Sequence, residues 1–278
     1  MKKELINLNE LAFGEFGDTQ STIIKDQAPD LSSVQRRSIL KDTERVSIAL
    51  PTGELQKDVL RFMQTIGLDL SAREPRRYII PVGNMPIDFV LIRASSIPTC
   101  VTDERSNAVA GITGSDILWE SGLDRGSGQE IPIYNLNPNA KQSSLYIGVT
   151  DRFTGFIRRE KNRDPEISDI SGQTIATKYV AVTKDFTRER SIENTTVYPI
   201  PGTDEAVQYI FPDYNAILGI ISSGNTVKAN YIQPLEIFYK VVVRLIEATD
   251  KMTLGQSNIL NDLRDRIAVA LQSTRMIQ

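Results

Sequence analysis

The sequence predicts an α/β protein built as two domains with a cleft between them. Short apolar runs bounded by Gly, Pro, Asn and Asp alternate with stretches of helical spacing, the pattern of strand–helix units around largely parallel sheets. Ala216 to Ile221 is a continuous apolar run, as suits a strand buried on both faces. A Gly/Pro/Asn-rich stretch, Gly122 to Asn139, separates two such sets. The chain is therefore expected to cross near residue 142 and return near residue 230. Domain I is then 45–141 with 231–278, and domain II is 142–230. Residues 1–44 form an N-terminal extension.

The elements follow in order. Residues 1–44 mix charged residues with short apolar clusters and one basic cluster, Arg36, Arg37 and Lys41. They read as a partly ordered extension, or as an arm that clasps another subunit. Val46 to Leu50 is a strand closed by Pro51-Thr52-Gly53. Leu55, Val59, Leu60, Met63 and Ile66 then recur at helical spacing, and Gly67 ends that helix. Tyr78–Val82 and Asp88–Arg93 are two strands joined at Gly83 to Pro86, and a short helix follows Ile97-Pro98. Ala108–Ile112 is a strand whose end, Thr113-Gly114-Ser115-Asp116, opens a helix through Trp119. Beyond the divide come strands at Ser144–Val149, Ile175-Ala176 and Val197–Ile200, a short helix at Ala206–Phe211, and the buried strand. Pro234–Ile246 gives one or two long strands, and Asn258–Leu271 an amphipathic helix.

Composition narrows the chemistry. The 278 residues are 40% hydrophobic and 24% charged, which is globular, and the net charge of −3 is no footprint of a general nucleic-acid binder. There is no histidine, which excludes Ser-His-Asp and Cys-His machinery, histidine zinc sites and histidine acid–base catalysis. The one cysteine, Cys100, excludes an internal disulfide and multi-cysteine metal sites. No segment reaches the roughly 18 apolar residues of a membrane span, and the N-terminus lacks the apolar core and cleavage site of a signal peptide. A cytoplasmic protein is expected. Its chemistry must run on carboxylates, Lys/Arg, hydroxyls, backbone amides and magnesium carried in with substrate.

Ser222-Ser223-Gly224-Asn225-Thr226 is the strongest local signal. It follows a buried strand and precedes a helical turn, and its small residues and hydroxyls suit a phosphate cradle. The alternative is a simple turn. Thr113 to Asp116 is a second junction of this kind, in which Asp116 could equally cap a helix. Two such loops at the carboxyl ends of strands strengthen the ligand reading.

Five segments together carry a family resemblance. Asn84-Met85-Pro86-Ile87-Asp88, Arg93 with Ile97-Pro98, and Gly111 to Asp116 come first. Ile175-Ala176-Thr177-Lys178-Tyr179 and Ala216 to Asn230 follow in the same order. In order and spacing they resemble ATP phosphoribosyltransferase, the first enzyme of histidine biosynthesis, over residues 46 to about 272. The resemblance implies two α/β domains of the periplasmic-binding-protein type, with substrates between them. It implies attack of the adenine N1 of ATP on C1 of phosphoribosyl pyrophosphate, with magnesium and release of pyrophosphate. The chain resembles the short form, whose members depend on a separate regulatory subunit resembling a histidyl-tRNA synthetase, so an oligomer is implied. Ser222 to Thr226 would hold the 5-phosphate, Glu205 would face the ribose, and Arg93 and Asp116 would contact the nucleotide. No residue is assigned as catalytic.

The departures fall on the donor-facing positions. The family's Pro-Lys-Gly-Arg-Leu loop is here Pro51-Thr52-Gly53-Glu54-Leu55, so a lysine becomes a threonine and an arginine a glutamate. Unit charges 4 Å apart interact by about 4 kcal/mol at an effective dielectric near 20, so a sign reversal beside a diphosphate is a large change. An aspartate that can hold the ribose hydroxyls is replaced by Gly219. Lys178, Arg76 or Arg77 could restore the missing positive charge. The competing reading is a paralogue that binds a nucleotide or sugar phosphate without turnover, as a partner subunit.

Overall fold

The computed structural model describes residues 45–133, 142–200, 202 and 204–275. The expected N-terminal extension and part of the Gly/Pro/Asn-rich stretch lie outside them. Among the described residues, eleven strands form two mixed sheets. In the first, β1 (Val46–Pro51) lies between β3 (Ile87–Ile92) and β4 (Ala108–Gly114), parallel to both. β2 (Ile79–Pro81) flanks β3, while β11 (Val243–Glu247) and β5 (Gln129–Glu130) continue beyond β4, all antiparallel to their neighbours. In the second, β7 (Thr174–Thr177) runs parallel to both β8 (Thr196–Pro199) and β9 (Tyr214–Ile221). β6 (Ser144–Val149) pairs antiparallel with β9, and β10 (Gln233–Lys240) with β6. Only β3, β1 and β4 in the first sheet and β9, β7 and β8, at one edge of the second, run parallel, so "largely parallel" overstated the pattern.

Helices cover the sheets where their apolar stripes demand it. α1 (Glu54–Thr65) buries Val59, Leu60, Phe62 and Met63, and the first core closes over β1 and β3 with Leu260, Leu263 and Ile267 of the long C-terminal helix. α2 (Ile97–Thr102) and α3 (Ser115–Glu120) bracket β4. In the second half, α4 (Asp151–Lys161) buries Phe153 and Ile157, and α5 (Val180–Glu189) buries Val182 and Phe186 against β6, β7 and β9. α6 (Asn225–Ala229) follows β9, and α7 (Leu254–Arg275) ends the described chain.

Two expectations change, and the choice of one or two strands at Pro234–Ile246 resolves to two. The expected helix at Ala206–Phe211 is a 3-10 helix over Asp204–Tyr209. The run Pro234–Ile246 is two strands in different sheets, because β10 pairs with β6 and β11 with β4. The chain therefore stays with the second sheet well past residue 230 and returns at Val241–Val242. There the Val241 amide donates to the Ser143 carbonyl (2.9 Å), and Ser115 exchanges hydrogen bonds with the Val242 backbone (2.8 and 2.9 Å). Both crossings thus lie side by side, against the start of α3.

Candidate phosphate-binding cleft

The parallel strands aim their carboxyl ends at one place. Thr52, Arg93 and Ser115 directly follow β1, β3 and β4, and Lys178 and Ser222 directly follow β7 and β9. A hydrogen bond from the Tyr179 hydroxyl to Asp116 Oδ2 (2.7 Å) ties the end of β4 to the end of β7. Glu120 of α3 extends this junction: its Oε2 accepts from the Ala181 and Val182 amides (2.9 and 3.2 Å) in the first turn of α5. Trp119 Nε1 donates to Asp185 (2.7 Å). The carboxyl ends of the two sheets therefore meet, and ligands of α/β proteins gather at such ends.

On the second sheet, the turn after β9 forms the wall of a pocket of about 440 Å³, shared by Ser222, Ser223, Gly224, Thr226, Glu205 and Lys178. Gly224 has φ +75°, a left-handed conformation that glycine adopts without penalty. Ser222 Oγ lies 2.6 Å from Ser143 Oγ, which anchors the first hydroxyl of the turn to the start of β6. Lys178 is presented by a pinned turn. Thr177 Oγ1 donates to the Leu218 carbonyl (2.7 Å) and accepts from the Tyr179 amide (2.8 Å), leaving Lys178 exposed between two buried neighbours. A cation, several hydroxyls and a glycine turn in one pocket suit a phosphate monoester.

Among the sequence-predicted residues, Ser222, Ser223, Gly224, Thr226 and Glu205 converge on this pocket. Asn225 is absent from its lining; its amide turns to Ser223 Oγ (3.4 Å). Gly219 lies inside β9, in register with Tyr146 of β6. Thr52, Gly53 and Arg93 are exposed at the ends of β1 and β3, and the Thr52 amide is held by the Ile92 carbonyl (2.9 Å). Glu54 is the first residue of α1. Arg76 and Arg77 lie just before β2, which runs antiparallel to β3, so both sit at the same end of the sheet as Thr52 and Arg93. Arg77 is already engaged by Glu74.

Asp116 faces inward. It is 4% exposed, and burial pushes its carboxyl above the usual range, opposed by the Tyr179 hydroxyl, backbone amides and the Lys178 charge. A folded-state pKa raised in this way contributes stability at low pH that is lost as pH rises above the ordinary carboxylate value. Asp116→Asn is therefore expected to raise the melting temperature at pH 7.5, with the gain vanishing near pH 3.5 in thermal melts. A gain independent of pH would place its origin elsewhere.

A family model described as ATP phosphoribosyltransferase matches residues 93–269, more than half of the chain. The chain belongs to the ATP phosphoribosyltransferase family. It is 28% identical to the ATP phosphoribosyltransferase of Saccharolobus solfataricus, over 81% of this chain and 70% of that one. It is 27% identical to the Listeria monocytogenes enzyme of that name, over 83% of this chain and 98% of that one. Among solved structures, the ATP phosphoribosyl transferase (HisG:HisZ) complex from Thermotoga maritima superposes with a TM-score of 0.60 at 17% identity, covering 82% and 99% of the two chains. The Candida albicans CA3427 product, which has the periplasmic binding protein fold, superposes with a TM-score of 0.50 at 9% identity, over 84% and 72%. The fold is thus two α/β halves of that type. The family match begins at residue 93, after the first loop.

Two contributors escape the sequence reading. Ser143 lies outside every motif, and Tyr146 reads as one more core residue of a strand. Only the contacts across β6 and β9 reveal them.

Proposed function

We propose that this member of the family transfers the phosphoribosyl group of phosphoribosyl pyrophosphate to N1 of ATP, releasing pyrophosphate. The single observation that carries the reading is the pocket on the second sheet in which Lys178, Glu205 and the turn after β9 converge. In this reading the turn holds the 5-phosphate through its hydroxyls and amides. Glu205, 8% exposed at the pocket wall, accepts from the ribose hydroxyls. Lys178 faces the phosphates. Arg93 contacts the nucleotide from the first sheet, Thr52 and Arg76 face the donor's pyrophosphate from the same end, and Asp116 holds the two ends together through Tyr179. The two sheets act as two domains, with the return at Val241–Val242 and the substrates between them.

Catalysis without histidine is electrostatic: a fixed sugar phosphate, and charge stabilisation of the departing pyrophosphate. Among the described residues no three acidic groups converge to hold a metal ion, and Glu205 is the one carboxylate in the pocket's lining. Magnesium belongs to this reading as part of the donor, bound to its pyrophosphate. No helix among the described residues is long and apolar enough to cross a membrane, and we place the enzyme in the cytoplasm. A separate regulatory subunit, as in the two-component Thermotoga complex, completes the proposed oligomer.

The test is pyrophosphate release from phosphoribosyl pyrophosphate and magnesium, coupled to pyrophosphatase. Release that requires ATP and yields phosphoribosyl-ATP is the expected result. Donor binding by calorimetry without any release would favour the non-catalytic paralogue.

A further inference from the structure

We infer that Tyr146 is a positioning residue that holds Glu205 against the sugar, in place of the side chain missing at Gly219. The inference rests on the reading of the pocket as a sugar-phosphate site.

Tyr146 is fully buried in β6, in a small apolar cluster with Ile217, Val227 and Ile232. Its register partner on β9 is Gly219, so the two Cα positions face each other on the same side of the sheet. A side chain at 219 would share that face with the phenol. Along its own strand the ring lies over Gly148, where an added Cβ would come within 3.2 Å of Tyr146 Cε2 and 2.9 Å of the Gln233 carbonyl oxygen. Gly148 thus leaves room for a large phenol in the middle of a sheet, and Gly219 faces it across the ladder without a side chain. A ring placed only to fill the core needs no hydroxyl. This one points its hydroxyl at the pocket wall, donating to Glu205 Oε1 at 3.4 Å.

That distance is longer than an optimal hydroxyl–carboxylate bond. It leaves the carboxylate free to rotate towards a ligand while the phenol sets its resting orientation. The pair therefore supplies the ribose side of the pocket, and the Ser222–Thr226 turn supplies the phosphate side. The two functions are separable because they come from different residues.

Calorimetry with ribose 5-phosphate and with inorganic phosphate separates them. Tyr146→Phe keeps the ring and its packing. It is expected to weaken ribose 5-phosphate binding about three- to tenfold, the size of one ordinary net hydrogen bond, as suits a long contact acting through Glu205, and to leave phosphate binding within about twofold. Unchanged phosphate affinity also reports that the fold and the turn are intact. Glu205→Gln should weaken ribose 5-phosphate as well, and the double variant should lose little more than Glu205→Gln alone, since Tyr146 acts through Glu205. Additive losses, or equal losses for both ligands, would make Tyr146 a structural residue and overturn the inference. Unchanged ribose 5-phosphate affinity in Tyr146→Phe would also overturn it, with the functional reading intact. Wild-type protein that binds neither ligand would overturn both.

Discussion

Gly224→Val is expected to abolish binding of phosphoribosyl pyrophosphate and of inorganic phosphate, measured by calorimetry. Space is not the obstacle: a Cβ at Gly224 would meet only Ile221 Cδ1, at 3.7 Å. The obstacle is the backbone, held at φ +75° in a left-handed conformation that a β-branched residue reaches only at a cost of about 1–2 kcal/mol. Valine relieves that strain by turning the peptide, and so re-aims the neighbouring amides. Each amide or hydroxyl bond to a phosphate is worth about 1.5–3 kcal/mol, so losing two takes the affinity below detection. Gly224→Asn is the control, because asparagine tolerates the left-handed region. It should retain most of the affinity. If Gly224→Val bound phosphate as tightly as wild type, the turn would have no part in ligand binding.

The parts that the sequence made legible share one property: their signal is local. β1 with α1, β4 with α3 and β9 with its turn each announce themselves by an apolar run that breaks into Gly, Ser, Thr or Asp. α4 did not, because Phe153, Phe156 and Ile157 are scattered among Arg, Lys and Glu in a helix of 11 residues. The return to the first sheet stayed hidden for the opposite reason. Val241, Val242 and Val243 run on without a punctuating residue, while pairing with β6 ends at Lys240 and pairing with β4 begins at Val243. What decides the change of sheet is the Ser143 carbonyl, the Gln142 side chain and Ser115, all far away in the chain. The same holds at the site. Ser222 to Thr226 could be read as a cradle from small residues alone. Asp116 was legible as a polar group at a strand end, but its partner Tyr179 is 63 positions away. Long-range pairs of this kind leave no periodicity to read.

At the first loop, stability and affinity should move in opposite directions. Glu54 opens α1, a helix of 12 residues, and an acidic residue in the first turn favours the helix dipole. Thr52→Lys/Glu54→Arg reverses that sign, so the melting temperature should fall, by the equivalent of about 0.3–1 kcal/mol. If the loop faces the donor's diphosphate, two positive groups beside it should tighten donor binding by about 1–3 kcal/mol after desolvation and screening. The gain should shrink at high salt. Gly53, at φ +95° with nothing within 4 Å of an added Cβ, stays as it is, so the loop keeps its shape. A lower melting temperature with unchanged donor affinity would show that the loop does not meet the diphosphate. Adding Gly219→Asp then tests the ribose side. Aspartate there shares a face of the sheet with Tyr146 and adds a second carboxylate to the side of the pocket that Glu205 serves. If Tyr146 and Glu205 already hold the sugar, the triple variant should bind donor more weakly than the double and turn over no faster. If turnover appears only in the triple variant, the natural chain is a binding subunit whose missing ribose contact, rather than its loop, had silenced it.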